Sequence, residues 1–357
     1  MTFASHSFSV RHPAAHSSRA RRSGARPRAL FICGSLNQTT MLHEVAKALP
    51  GFDHAFTPYY CDGLLRVLDR FGALDFTIIG AKGKFRAQTD AYLRDHALRI
   101  DHRGSGGPYD LVVTCSDLII QRNIRRVPIV LVQEGMTDPE DRVYRLVRRL
   151  GLPRWMASTA TTGLSHAYRK FCVASEGYRD LFARKGVPHE RLEVTGIPNY
   201  DDCARHLRND FPHRGYVLVA TSDTRETFKR DDRARFFRSV ERIARGRPLV
   251  FKLHPNEHHA RSEAEILARF PDALVFARGD TNAMIANCDV LVTQYSTVIY
   301  VGLALGKECH SYFDLAELRR LMPVQNGGRS AANIARVCAG LLGADTGGAP
   351  AAHARAS

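Results

Sequence analysis

Short apolar runs recur along this chain, and each empties into a polar loop that leads into a helical pattern. Three in the second half stand out. Tyr216-Val-Leu-Val-Ala-Thr221 runs into Ser222-Asp-Thr-Arg-Glu226, and Leu249-Val-Phe-Lys-Leu253 ends in His254-Pro255-Asn256. Val290-Leu-Val-Thr293 turns at Gln294-Tyr295, where Ser296-Thr297 open a helical segment expected to run to Leu305-Gly306. Runs that are apolar on both faces are the mark of strands buried on both sides, as in a parallel sheet. Strand and helix alternate from Arg28 to Leu342, which predicts parallel sheets covered by helices on both faces. In such open sheets a ligand sits in the crevice outside the carboxyl ends of the strands. The stretch Asp289–Lys307 sets the expectation most sharply. A strand handing over to a helix that starts with two hydroxyls offers backbone N–H groups and the positive end of a helix dipole, which suits a phosphate or diphosphate. The plainer reading is that Ser296 is a good N-cap.

In chain order, strands are expected at Ala29–Cys33, His54–Tyr59, Asp110–Cys115, Val127–Gln133, Phe171–Ser175 and Leu192–Asn199. A second set is expected at Tyr216–Thr221, Leu249–Leu253, Ala273–Phe276, Val290–Thr293 and Cys309–Tyr312. Gly34–Thr40 reads as a loop and Met41–Leu49 as the amphipathic helix behind it. Strand, Gly-containing loop and helix open a Rossmann-like unit, but the loop lacks the G-x-G-x-x-G fingerprint of a dinucleotide site. The domains expected are a disordered basic arm over 1–27, an N-terminal Rossmann-like domain over 28–204, a polar linker over 205–215, a C-terminal Rossmann-like domain over 216–342 and a disordered tail over 343–357. The fold class is therefore α/β, with two doubly wound parallel-sheet domains and a cleft between them. At 357 residues the chain is long enough to give each domain a full core.

Composition narrows the class. The apolar share of 44% and charged share of 24% are those of a globular protein. No apolar run reaches the length needed to span a bilayer. Eight Cys are scattered without C-x-x-C pairs. They read as reduced, buried residues of a cytoplasmic protein, not as a disulfide framework or zinc site. The net charge of +15 has two identifiable sources. The first 28 residues hold six Arg and no acid; they have the Arg- and Ser-rich look of a transit peptide but read better as a disordered arm or an over-extended start. Arg142–Arg154 alternates Arg with Leu, Val and Tyr at helical spacing. This segment reads either as a surface for anionic lipid or a lipid-linked acceptor, or as a solvated helix face. Nucleic acid is not expected as a partner, because no aromatic–basic interleaving, zinc finger or helix-turn-helix pattern accompanies the charge.

Two groups of motifs carry a resemblance. Gln133-Glu-Gly135, Pro139-Glu-Asp-Arg142 and Val194-Thr-Gly196 with Asp201 resemble, in order, the motifs of the UDP-N-acetylglucosamine 2-epimerases. Lys252-Leu-His-Pro255 and Thr293-Gln-Tyr-Ser-Thr297 are similar to motifs of the CDP-glycerol glycerophosphotransferases. Both belong to the GT-B superfamily of nucleotide-sugar enzymes, and the resemblance covers most of the ordered length. It implies that Glu134 and Glu140 take the places of the epimerase acidic residues, and that His254 and the Ser296-Thr297 pair contact donor phosphates. The chain departs from both groups. Ser222-Asp-Thr-Arg-Glu-Thr227 stands where epimerases have a His-containing run, Ser296–Val301 replaces their nucleotide-binding Gly-Gly segment, and the Trp-His-Gly motif of the glycerophosphotransferases is absent.

Breaking a bond to a diphosphate leaving group requires that its developing charge be neutralised. Inverting transfer also needs a base for the acceptor hydroxyl. His254, Ser296 and Thr297 are the donor-side candidates, with Arg225 and Lys252 as helpers. Glu134 is a candidate acid/base residue at the cleft, with Glu140 and His43 as further candidates; each has an ordinary structural alternative as a capping, loop or helix residue. Gly34, Asn37 and Gln38 are positioned for acceptor hydroxyls. No metal or cofactor is expected, since no Asp-x-Asp pair or His/Cys ligand set is present. The function expected is a glycosyltransferase that moves a sugar from a nucleotide donor, UDP first, to a glycan or glycolipid acceptor at the cytoplasmic face of a membrane, the cleft closing on both substrates. A UDP-N-acetylglucosamine 2-epimerase-like enzyme, a CDP-alditol phosphotransferase and a non-enzymatic binding shell are the alternatives.

Overall fold

A computed structural model describes residues 25–75, 77–222, 225 and 231–343. Most of the expected arm and tail, and most of the loop Asp223–Arg230, lie outside the described residues. In the first half the strands are β1 (Arg28–Cys33), β2 (Asp53–Pro58), β3 (Leu111–Thr114), β4 (Ile129–Val132), β5 (Lys170–Val173) and β6 (Leu192–Val194). Between them run α1 (Leu36–Lys47), α2 (Gly63–Arg70), α3 (Lys84–Asp95), α4 (Arg142–Leu150) and α5 (Glu176–Lys185). The second half holds β7 (Val217–Ala220), β8 (Leu249–Lys252), β9 (Leu274–Phe276), β10 (Val290–Thr293) and β11 (Glu308–His310). Its helices are α6 (Arg233–Ala244), α7 (His259–Arg269), α8 (Thr281–Asn287), α9 (Ile299–Ala304), α10 (Leu315–Leu321) and α11 (Ser330–Leu341).

The strands form two sheets, ordered β2-β1-β3-β4-β5-β6 and β11-β10-β7-β8-β9. Every pairing within them is parallel. All eleven strands fall where the apolar runs placed them. The order reverses between β1 and β3 in the first sheet and between β7 and β10 in the second, so each sheet has a switch point where a ligand crevice opens. Burial on both faces explains the continuous apolar character of the central strands: β3, β4, β7 and β10 are buried at all four residues. Burying each large apolar side chain contributes roughly 1.5–3 kcal/mol. The eight cysteines are all buried and unpaired, and burial pushes the Cys33 and Cys172 thiols up to about 12, which makes them inert packing residues. No helix among the described residues is long and apolar enough to cross a membrane.

Two local expectations are corrected. Gly34–Thr40 is not a loop: α1 starts at Leu36, because Ser35 caps it by accepting from the Gln38 N–H, and no breaker interrupts the polar run that follows. Ser296 and Thr297 do not open a helix. They form a turn in which Ile299 N–H bonds the Ser296 carbonyl and Tyr300 N–H the Thr297 carbonyl, and α9 spans only six residues from Ile299. The polar segment before Tyr216 is held in place: the buried Asn287 side chain donates to the Phe211 and His213 carbonyls and accepts from Asn209 and Arg214.

The last helix returns to the first domain, although sequence order assigns it to the second. Ile334, Ala335, Cys338 and Ala339 of α11 share a core with Phe31, Leu42, Val45 and Val113. On the way back the chain is stitched to the first sheet by Val324 N–H to the Ala174 carbonyl (3.0 Å) and Ser330 N–H to the Asp201 carboxylate (2.8 Å). The domains also meet directly. Tyr178 and Tyr300, both fully buried, share a hydrogen bond of 2.8 Å, and Ser175 Oγ donates to the Leu321 carbonyl. Gly177 lies so close to α10 that a Cβ would overlap the Arg320 carbonyl.

Ile334→Ala is expected to lower stability by about 2–5 kcal/mol in urea unfolding, the range for emptying a packed apolar site. The exposed neighbour change Arg336→Ala is expected to stay within about 0.5 kcal/mol. Gly177→Ala is expected to cost about 1–3 kcal/mol by forcing the α5–α10 contact apart.

Candidate functional site

The first-domain side of the crevice is built around Glu134, which follows β4. Buried Gln133 fixes this loop: its side-chain amide donates to the Gly135 carbonyl (2.8 Å) and its oxygen accepts from the Ala174 N–H of the neighbouring strand end (2.9 Å). Three donors from the start of α1 converge on the Glu134 carboxylate. They are Ser35 Oγ at 2.9 Å, Asn37 Nδ2 at 3.2 Å and Gln38 Nε2 at 2.5 Å. A carboxylate accepts about four hydrogen bonds, so this one retains capacity for a further donor such as a hydroxyl. The buried Gln38 Oε1 has no partner among the described residues. Gly34 allows this packing, since a Cβ there would overlap the Gln38 side chain.

The turn after β6 adds Asn199, whose amide donates to the Asn37 side chain, and Tyr200. Gly196, at φ 77°, makes that turn possible; a side chain there would strain the backbone and overlap Ser330. Tyr200 bridges the domains. Its ring lies edge-on to Tyr300 of α9, and burial, followed by the Glu134 charge, pushes the phenol up. Thr297 lies against Gly135 from the other side, 3.1 Å from where a Cβ would stand. Neither Tyr200 nor Asn199 was singled out from the sequence. The Gly/Pro turn ahead of them was the available signal.

The second-domain side is formed by the ends of β7, β8 and β10. Ser222 Oγ donates to Gln294 Oε1 across the β7/β10 switch point (2.9 Å), just before Ser296. His254 follows β8, and its N–H donates to Thr221 Oγ1 (3.1 Å) and to Glu257 Oε2 (2.8 Å). The first domain touches this loop as well: Lys84, at the start of α3, bonds the Pro255 carbonyl and the Asn256 side chain. The loop bearing His254 therefore borders the interdomain crevice.

Several expected site residues are engaged elsewhere. Lys252 is buried, and its ammonium donates to the Leu253 and Ala277 carbonyls, so it ties strand ends together; burial lowers its pKa. The Arg225 guanidinium pairs with Asp231 (3.0 Å) and Glu265 (2.9 Å), and its charge is already balanced. His43 sits two turns into α1, packed edge-on against Phe56, Tyr92 and His96, with Nδ1 3.0 Å from the Tyr92 hydroxyl. Burial and nearby Lys47 hold its imidazole below the ordinary value. It is not among the Glu134 partners, being about 12 Å along the helix from Ser35. Glu140 is exposed and lines a separate part of the crevice, a cavity of about 210 Å³ shared with Met136, Tyr178, Lys185 and Tyr300. Among the described residues no group of His, Cys, Asp or Glu is placed to hold a metal ion.

No protein-family model matches the sequence, and no curated protein does. Solved structures match the fold. UDP-GlcNAc 2-epimerase from Neisseria meningitidis, bound to UDP-GlcNAc, superposes at TM-score 0.51 with 11% identity, over 88% of this chain and 99% of that one. The Methanocaldococcus jannaschii enzyme, in complex with UDP-GlcNAc and UDP, gives 0.52 at 10% identity over 87% and 99%. The wall teichoic acid polymerase TagF, soaked with CDPG, gives 0.51 at 11% identity over 89% of each chain. At these identities the likeness is one of fold. Two all-parallel α/β domains facing each other across a crevice, in the arrangement of the epimerases and of TagF, give this chain the GT-B fold.

Proposed function

We propose that the chain is a GT-B glycosyltransferase that moves a sugar from a nucleotide donor, with UDP as the first choice, to a hydroxyl of a glycan or glycolipid acceptor at the inner face of a membrane. The observation that carries this reading is the Glu134 carboxylate, held by Ser35, Asn37 and Gln38 at the mouth of one sheet while Thr297 and the His254 loop come from the other. In the reaction the acceptor oxygen attacks the anomeric carbon and the bond to the diphosphate breaks. The acceptor proton passes to Glu134, and the nucleoside diphosphate leaves. Ser296, Thr297 and His254 face the departing phosphates, as preorganised hydrogen-bonding groups do where charge develops. Asn37 and Gln38 exchange their bonds to Glu134 for sugar hydroxyls. Arg225 and Lys252 take supporting places behind this set, and no step calls for a metal.

The neighbours support a nucleotide-sugar ligand, since two of them were solved with UDP-GlcNAc. They also support a second reading, in which UDP-GlcNAc alone is converted by an epimerase-like reaction at Glu134. A third, phosphotransfer from a CDP-alditol, follows the likeness to TagF.

Millimolar UDP is expected to raise the melting temperature by several degrees; a ligand at a hundred times its Kd adds about 2.7 kcal/mol. His254→Ala and Ser296→Ala are expected to weaken that shift, each losing about 1–3 kcal/mol of binding. A larger shift with CDP would favour the phosphotransferase, and no shift with any nucleotide would remove the enzyme reading. Glu134→Gln is expected to keep the UDP shift while lowering turnover roughly 10²–10⁴-fold. Consumption of UDP-GlcNAc without an acceptor would point to epimerisation.

A further inference from the structure

Two helices of the first domain present apolar stripes to solvent. No residue of α2 is buried. Leu64 and Phe71, 74% and 83% exposed, line up with exposed Val67 and Leu68 along one helical face. Single exposed leucines are ordinary, but a stripe of four is not. The second helix, α4, repeats the arrangement. It packs Tyr144 and Val147 inward on Ala157 and Ala160, and leaves Val143, Leu146 and Leu150 exposed on an adjoining stripe, with Trp155 and Met156 just beyond. The segment after α4 lies beside α2: Leu65 and Trp155 line one cavity of about 550 Å³.

This face is strongly cationic. Arg142, Arg145 and Arg149 recur along α4 beside its apolar stripe, and Arg66 and Arg70 flank that of α2. Arg184 of α5 joins Arg145 and Arg149 around a cavity of about 470 Å³, whose lining contains one acid, Glu140. The other acids nearby are engaged. Asp62 accepts from Arg122 N–H and Arg103, Asp69 from Ala81 N–H, and Asp141 from Tyr144 N–H as the α4 cap.

We infer that α2 and the segment from α4 to Met156 form one docking surface for an anionic lipid bilayer. Leucines, Phe71 and Trp155 enter the headgroup boundary while the arginines meet lipid phosphates, the arrangement by which amphipathic helices lie in a membrane interface. Charge argues against a second copy of the chain as the occupant, because pairing this face with itself would set arginine clusters against each other. The surface also orients the crevice. Glu140 and Lys185 line both the basic cavity and the crevice cavity, so the crevice opens beside the bilayer. That last step rests on the transferase reading: a lipid-linked acceptor would reach the crevice while still anchored.

The test is co-sedimentation of the full chain with vesicles of phosphatidylcholine alone and of phosphatidylcholine with phosphatidylglycerol, without nucleotide. Binding is expected only to the anionic vesicles, and to weaken with salt. The triple change Arg142→Gln, Arg145→Gln, Arg149→Gln is expected to lower affinity about fivefold per arginine, on the order of a hundredfold together. The double change Leu64→Ser, Phe71→Ser is also expected to abolish sedimentation. Both variants should melt as the parent does, since every altered side chain is exposed. The proposal is overturned if the parent ignores anionic vesicles, if either variant binds as the parent does, or if the double change instead dissociates a dimer. Because no nucleotide is present, a negative result leaves the transferase reading standing. Intact vesicle binding with no nucleotide-induced shift would count against that reading alone.

Discussion

The seam between α5 and the α9–α10 region fixes everything else about this molecule. Ser175 caps α5 and also bonds the Leu321 carbonyl, so the start of that helix is tied to the second domain by the residue that begins it. Gly177 lets the helices approach to backbone contact, and the Tyr178–Tyr300 hydrogen bond closes the gap in a fully buried setting, where an unpaired hydroxyl would be costly. With one side of the interface locked, the remaining space between the domains is the crevice. Its width decides whether Glu134 and Thr297 can face the same ligand.

A second polar framework holds the donor side. Buried Glu257 accepts from Thr221, from the His254 N–H, from Arg233 and from Ser262, so one carboxylate organises the loop after β8. Arg233 also approaches Glu265, which pairs with Arg225. Arg225 pairs with Asp231, and Asp231 accepts from Gln294. The chain of charges links the ends of β7, β8 and β10, and each of its arginines is paired with a carboxylate. Breaking one member of such a buried set is strongly destabilising, because it strands the partner charge. Arg225 and Lys252 are therefore better understood as parts of the scaffold that positions His254 and Ser296 than as phosphate ligands.

The strands were legible because burial on both faces leaves an unambiguous apolar run, and all eleven were placed from that signal. The start of α1 was not, since the polar residues Asn37, Gln38 and Thr39 read as loop until Ser35 is seen to cap them. The carboxylate at Glu134 was visible in its Gln-Glu-Gly setting. Of its partners, Asn37 and Gln38 were named only as acceptor contacts and Ser35 not at all, because their convergence depends on β1 and β4 lying near each other in the sheet. Lys252 and Arg225 carried the right chemistry for phosphate, but each is also held by a partner distant in sequence, the Ala277 carbonyl in one case and Glu265 in the other. The return of α11 could not be read from order along the chain, and neither could the exposed stripe of α2, whose pattern is that of an ordinary buried face.

The central claim is that nucleotide occupies the crevice between the two sets of strand ends. Amide hydrogen exchange with and without saturating UDP tests it most directly, because ligand contact and local ordering slow exchange where they occur. Added protection is expected at His254–Glu257, at Gln294–Tyr300 and around Glu134–Met136, with α2 and α4 unchanged. Protection confined to other parts of the chain, or none at all under saturating UDP, would contradict it.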